Sequence, residues 1–330
     1  MHFGFQFTKE ALQHEPGVEV VQCDRSQLAH ELMGADVAVP LMARLDAQLL
    51  RSARRLKLII QYGVGVEGID MPSATELGIW VSNIPSAGTG NAASCAEHAI
   101  YLMLATLRYH NAMADSIRER RLGVPLGQTL LGKTVLLVGF GNIAKELAVR
   151  LKPFGVRATA LRRRPWGSSK PAAPLPQQDG EGAPWAADGS QQQPAQQQQG
   201  SELEAAAEAD EHNRGMIGAE FLSHCKPGVR IVNVARGGLL DYEAVRQGLS
   251  SGRITGLGLD VQEQEPVDPQ HWLAQHPSVI LTPHIAGVTE MSYRSMAEVV
   301  AAAVLRLRHG QAPRRRLNDP AHPRALDWLT

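Results

Sequence analysis

The 330 residues carry 33 Lys and Arg against 33 Asp and Glu, so no global field directs the chain to nucleic acid or to an anionic membrane. Apolar residues make up 44% and charged ones 20%, the balance of a globular chain long enough for two domains. Cys23, Cys95 and Cys225 are far apart with no C-x-x-C, which argues against a disulfide framework or a metal site and for a reducing, cytoplasmic compartment.

In chain order, residues 1–7 read as part of a strand, so the start looks clipped and an organellar address with a lost leader stays open beside the cytoplasmic one. Residues 18–21 and 37–39 read as short strands around a helical stretch at 26–33. Residues 47–56 read as a helix, and 58–60 as a strand that runs into the glycine-rich turn Gln61-Tyr62-Gly63-Val64-Gly65-Val66-Glu67-Gly68. Successive main-chain N–H groups in such a turn can form an anion-binding nest; a plain strand-to-helix turn is the alternative. Val81 ends another strand, Asn91 suits a helix N-cap, and a long helix follows from 92 to about 121. That stretch falls short of a membrane span because Glu97, His98 and Arg108 interrupt it.

The organising stretch is residues 133–164. Residues 134–138 form a β-branched apolar run that breaks into Gly139-Phe140-Gly141-Asn142-Ile143-Ala144. Ile143, Leu147 and Leu151 then recur at helical spacing until Pro153 and Gly155, and residues 156–161 read as a second strand. This is the strand, glycine turn, helix and strand of a dinucleotide site. Gly139 allows the tight turn, Gly141 lets main chain approach a pyrophosphate, and Ala144 keeps the third position small for helix packing. The phosphates would sit on the free N–H groups at the helix start. An acidic residue at the end of the second strand selects NAD, but the chain reads Leu161-Arg162-Arg163-Arg164 there. Arg162 or Arg163 could pair with a 2′-phosphate, favouring NADP over NAD; a solvated basic loop is the alternative.

Residues 165–209, with QQQPAQQQQG, read as a disordered insertion. The following 202–214, ELEAAAEADEHNR, contains no strand-forming run, so the alternation of helix and strand skips a beat and one sheet strand is expected to be missing. A helix at 219–224, a strand at 229–234, a helix from the Asp241 cap to 250, strands at 254–259 and 279–281, and a closing helix at 292–307 complete the pattern. Arg314 to Arg316 read as a solvated run.

Three polar groups lie just past consecutive strands: Arg236, Glu265 and His284. Ligands of open parallel sheets bind outside the carboxyl ends of the strands. Reduction of a 2-keto acid by hydride transfer needs such a set: a guanidinium to grip the carboxylate and polarise the keto oxygen, and an acid to protonate the developing alkoxide. A carboxylate beside an imidazole favours its protonated form and fixes its orientation. Taken singly, Arg236 could cap a helix, Glu265 could be a loop acid, and His284 could be a satisfied turn histidine. Their common position in an ordered series favours the catalytic reading.

GFGNIA, NVARGGLLD, GLGLDVQEQEP and LTPHIAGVT together resemble the D-isomer-specific 2-hydroxyacid dehydrogenases, the family of phosphoglycerate dehydrogenase and the glyoxylate/hydroxypyruvate reductases. QYGVGVEGID and GNAASCAEHAIYLML resemble its substrate loop and interdomain helix, and the similarity spans about residues 35–164 and 215–310. The resemblance implies an α/β protein with a Rossmann NAD(P)-binding domain at 98–284 inserted in a flavodoxin-like substrate domain made of 1–97 and 285–330. It implies Arg236 as substrate anchor, His284 as acid/base and Glu265 as its partner, with the main chain of Tyr62, Gly63, Val64, Gly65 and Val66 holding the substrate carboxylate. Asn142, Ile143, Arg162, Val234, Ala235, Asp260 and Gly287 match cofactor contacts, and a homodimer is implied. The loop from Asn83 to Asn91 is longer than the family's N-x-P-G-x-N form. The corepressors that use this fold as a nucleotide-gated binding module offer a second function, and the missing strand suggests a third, an inactive remnant.

Overall fold

The computed structural model describes residues 3–41, 43–161 and 213–324, and the main chain of 202–205. Arg162, Arg163 and all of the expected insertion except 202–205 lie outside the described residues. The chain divides into two compact units, Met1–His98 with His284–Thr330, and Ala99–Pro283.

In the first unit β1 (Val37–Ala38), β2 (Leu58–Gln61) and β3 (Trp80–Asn83) form a parallel sheet in that order. Every residue of β2 and β3 is buried, which a parallel sheet covered on both faces requires. Alternate β2 residues serve two cores. Leu58 and Ile60 pack with α1 (Phe3–Leu12) and α11 (Glu290–Arg308) through Leu12, Val300 and Leu307. Ile59 packs with α2 (Leu28–Gly34), α3 (Ala47–Ser52) and α4 (Met71–Glu76) through Leu32, Leu50 and Ala74. Asp46, Asp70 and Thr289 cap α3, α4 and α11, their side chains accepting from the N–H groups of Leu49, Ser73 and Ser292.

Two expected strands do not form here. Phe3, Phe5 and Phe7 alternate as a strand would, but the segment is α1, with Gly4, Thr8 and Leu12 buried at four-residue spacing. The helix packs along α11, where the Arg294 guanidinium sits 4.5 Å from the Phe7 ring centre. Residues 18–21 form no strand and have no ladder partner among the described residues, and Val18 and Val20 pack as side chains on the α1/α11 core.

The second unit is built on six parallel strands, β4 (Thr134–Val138), β5 (Arg157–Leu161), β6 (Glu202–Ala205), β7 (Val229–Asn233), β8 (Ile254–Leu259) and β9 (Val279–Leu281), in the order β5-β4-β6-β7-β8-β9. The expectation of a missing strand is therefore corrected. Glu202 to Ala205 pair with Val135 to Val138 on one side and with Arg230 to Asn233 on the other. A strand held on both sides gains its ladder from main-chain groups, so weak β-propensity does not exclude it. Leaving the inner edges of β4 and β7 unpaired would cost about 1–3 kcal/mol for each buried group. The switch from leftward to rightward connection falls at β4, the place where open sheets bind ligands.

The helix expected over 92–121 is two helices, the continuous α5 (Asn91–Leu107) and α6 (His110–Arg118), broken where Tyr109 turns left-handed at φ 53°. The part of α5 in this unit lies close over β8. Side chains at Gly256 and Gly258 would press on Cβ of Thr106 and Leu102 at 3.1 and 3.0 Å, which accounts for the G-L-G-L alternation. On the unit's other core, Ile231, Leu257 and Leu259 pack with α8 (Ala219–Ser223), α9 (Tyr242–Ser250) and α10 (Trp272–Gln275) through Leu222, Val245 and Leu273.

Candidate active site

The glycine turn sits at the carboxyl end of β4. Gly139 adopts φ 98°, a conformation open to glycine, and its N–H donates to Leu161 O at 2.8 Å, tying the turn to the end of β5. Gly141 precedes α7 (Asn142–Leu151), and no side chain caps that helix. Among the described residues, a side chain at Gly141 would meet nothing within 4 Å. Ala144, Leu147 and Leu151 are buried, whereas Asn142 is exposed and Ile143 half-buried. A glycine-led helix start, with positive partial charge and main-chain N–H groups directed outward, fits a pyrophosphate.

The ends of β7, β8 and β9 are tied together by buried polar groups. Asn233 is fully buried: its Nδ2 donates to Arg236 O at 2.8 Å and its Oδ1 accepts from Ala235 N–H at 3.0 Å. Val234 and Ala235 are buried in this loop, and Arg236 is half-buried, its Nη1 donating to Ala235 O at 2.7 Å. Next to it Gly237 lies against the carbonyl of Gln262, with no room for a side chain. Gln262 is buried and its N–H donates to Glu265 Oε1 at 2.9 Å, while its Nε2 donates to Leu259 O and Thr282 O, each at 3.3 Å. Asp260, fully buried, accepts from the Thr282 hydroxyl at 2.6 Å. Arg236 and Glu265 are thus carried by two loops in main-chain contact, at the same sheet edge as the Gly139 turn. Glu265 also precedes a cis peptide bond to Pro266.

His284 follows Thr282 by two residues and opens the second segment of the other unit. It is exposed and left-handed at φ 55°, an uncommon state for a side-chain-bearing residue and one that collects at functional sites. In the same unit, the turn after β2 is narrower as an anion site than the sequence suggests. The Tyr62 N–H donates to Pro40 O at 2.9 Å and the Gly63 N–H to Gln61 O at 2.8 Å, so neither is spare. The Tyr62 side chain is buried too: its hydroxyl donates to Tyr293 O at 3.0 Å, its ring meets that of Tyr293 edge-on at 5.3 Å, and burial pushes the phenol well above its usual range. The donors left are the N–H groups of Val64, Gly65 and Val66, which have no hydrogen-bond partner among the described residues. Tyr62 and Gly63 are therefore corrected from direct anion contacts to supports of the turn. Gly287 packs against Asn91 and Cys95, where a side chain would collide with the Asn91 amide.

The residues that fix the site were not singled out from sequence: Asn233, Gln262, Thr282 and Asn83. A polar residue at the last position of a buried strand is a usable signal, since it must find partners at the strand end. Among the described residues no group of three His, Cys, Asp or Glu side chains is placed to hold a metal ion.

A doubly wound parallel sheet with this glycine turn at its switch point defines a dinucleotide-binding α/β protein. The family described as "D-isomer specific 2-hydroxyacid dehydrogenase, NAD binding domain" matches residues 100–176 and 203–286. The chain belongs to the D-isomer-specific 2-hydroxyacid dehydrogenases and is an NAD(P)-dependent oxidoreductase. It is 30% identical over 322 residues to the glyoxylate reductase of Pyrococcus furiosus, covering 94% of this chain and 90% of that one. It is 30% identical to the D-3-phosphoglycerate dehydrogenase of Archaeoglobus fulgidus, over 86% of this chain and 51% of that one. Its structure is similar to that of the NADPH-dependent glyoxylate/hydroxypyruvate reductase of Sinorhizobium meliloti in complex with NADP and malonate, with TM-score 0.73, 25% identity and 95% of each chain covered.

Proposed function

We propose that the protein reduces a small 2-keto acid, of the glyoxylate or hydroxypyruvate kind, to its D-2-hydroxy acid, with NADPH preferred over NADH. The observation that carries this reading is the half-buried Arg236, whose main-chain carbonyl is held by Asn233 at the sheet edge that also bears the Gly139–Gly141 turn. The similarity to glyoxylate reductases supports the substrate class.

The dinucleotide, when bound, supplies the hydride. The chain's own residues do the rest. The N–H groups of Val64, Gly65 and Val66 hold the substrate carboxylate, and Arg236 polarises the keto oxygen. His284 gives its proton to that oxygen as charge develops on it, and Glu265 keeps the imidazole oriented and protonated. Gly141, Asn142 and Ile143 receive the pyrophosphate; Val234, Ala235, Asp260 and Gly287 line the cofactor, the last three as packed walls.

Arg162 and Arg163 follow directly on β5, where an NAD-selective chain carries an acid, and this supports the NADP preference. The presence of β6 removes the ground for reading the chain as an inactive remnant. A homodimer is supported by apolar side chains exposed on α6 and the loop after it, and a cytoplasmic location by the wide sequence spacing of Cys23, Cys95 and Cys225. The test is loss of the reduced-nicotinamide absorbance with glyoxylate and with hydroxypyruvate, using NADPH and NADH. Turnover with NADPH above NADH is expected, and none with either substrate overturns the reading. In Arg162→Asp, NADPH affinity should fall about tenfold or more relative to NADH, the loss of one charge-assisted phosphate contact; equal losses would remove the 2′-phosphate role.

A further inference from the structure

Arg314 to Arg316 are exposed, as expected of a solvated run, but Arg315 and Arg316 also make contacts with the first unit's sheet. Residues 315–318 lie along the free edge of β3. The Leu317 N–H donates to Val81 O at 2.8 Å, the Val81 N–H donates to Asn318 Oδ1 at 2.7 Å, and Asn318 Nδ2 donates to Ile79 O at 2.9 Å. Arg316 stacks over the Trp80 ring at 5.3 Å. The strap runs opposite to β3, so Arg315 arrives at the strand's carboxyl end. There its Nε donates to Asn83 Oδ1 at 2.5 Å. Asn83 is almost wholly buried, and its Nδ2 donates in turn to Val64 O at 2.5 Å. The chain of contacts therefore runs from a guanidinium through one buried amide to the turn whose N–H groups the proposed function assigns to the substrate carboxylate.

We propose that Arg315 is a positioning residue for the substrate-binding turn at 62–66. Asn83 can offer Nδ2 to Val64 O in one of its two amide orientations, and a cation on Oδ1 selects that orientation, since the flipped amide would set two donors against each other. With Val64 O held, the peptide plane that carries the Gly65 N–H is held with it, and the turn is preorganised for an anion. The Ile84 N–H donating to Gly63 O at 3.0 Å closes the same turn from the other side. The cationic side chain also acts through its charge on the turn's donors, strengthening their grip on the carboxylate end of a 2-keto acid. This deepens the proposed function and rests on its assignment of Val64, Gly65 and Val66 to the substrate carboxylate.

Two measurements on the full chain test it. In the first, Arg315→Ala is compared with Arg315→Lys and wild type in steady state with glyoxylate or hydroxypyruvate. KM should rise about three- to tenfold in Arg315→Ala, the effect of losing one partly exposed charge-assisted bond, with kcat changed less than KM and with unaltered affinity for NADPH. Arg315→Lys, which keeps the cation, should recover part of the loss. A wild-type KM in Arg315→Ala, or equal losses in kcat, KM and thermal midpoint, overturns the inference. In the second, amide hydrogen exchange is followed in the segment 62–84. Faster exchange in Arg315→Ala confined to the turn and the end of β3 supports the inference, and unchanged exchange overturns it. The second measurement needs no turnover, so it decides the role of Arg315 even where wild type proves inactive on 2-keto acids, a result that would sink the proposed function alone.

Discussion

At the scale of single residues, the site depends on side chains whose own positions are fixed by buried polar neighbours. His284 shows the consequence most directly. It holds an uncommon backbone conformation and stands two residues past Thr282, which is bound both to Asp260 and to Gln262. Under the proposed function, replacing it by alanine removes the proton donor and leaves the glycine turn untouched. Turnover of His284→Ala should fall by about 10²- to 10⁴-fold, the usual worth of a general acid, with NADPH affinity little changed. Stopped-flow reduction together with cofactor fluorescence titration checks both halves, and an unaltered rate would remove the acid/base role. Gly237 makes a different kind of demand. Any Cβ there runs into the Gln262 carbonyl, so the loops bearing Arg236 and Glu265 would be forced apart. Gly237→Ala should lower stability by about 1–3 kcal/mol, as overpacked backbone contacts do, and reduce kcat as well. Urea unfolding followed by circular dichroism checks it, and a wild-type midpoint would show that the two loops yield freely.

At the scale of elements, legibility in the sequence follows how much of each element's stability is local. Strand β4 and helix α7 were readable because apolar period, glycines and stop signals agree over one continuous stretch. The placement of Arg236, Glu265 and His284 after the ends of β7, β8 and β9 was readable from residue types and strand pattern. The network that sets those residues was not, because Asn233, Gln262 and Thr282 find partners across loops distant in sequence. Helix α1 was misread because three phenylalanines alternate, while the choice is made by the available neighbour, α11. Strand β6 was missed for the opposite reason: its residues carry little signal and its two neighbours supply the ladder. That account has a test. Leu203→Pro deletes a main-chain donor from a strand paired on both sides and should destabilise the fold by about 3 kcal/mol or more, whereas Leu203→Val should be neutral within error. If both variants melt with wild type, the segment is not an integral strand.

At the scale of the whole molecule, apolar surface that the described residues of one chain leave uncovered bears on assembly. Ile117 is 78% exposed, Leu122 fully exposed and Leu126 90% exposed, and Met113, Ile117, Leu122 and Val124 line one crease beside α6. A run of large apolar residues gathered in one place is the signature of an interface more than of scattered surface apolarity. Fully burying one leucine gives about 1.5–3 kcal/mol, and a two-fold contact uses each residue twice. If the proposed dimer uses this surface, charged replacements at two such positions remove that burial on both subunits. Leu122→Asp with Leu126→Asp should shift the protein from dimer to monomer in light scattering on a sizing column. Its thermal midpoint as a dilute sample should stay close to that of wild type, since neither side chain belongs to a core. A variant that keeps wild-type mass would place the dimer contact elsewhere, and a wild-type chain that is monomeric at micromolar concentration would remove the dimer altogether.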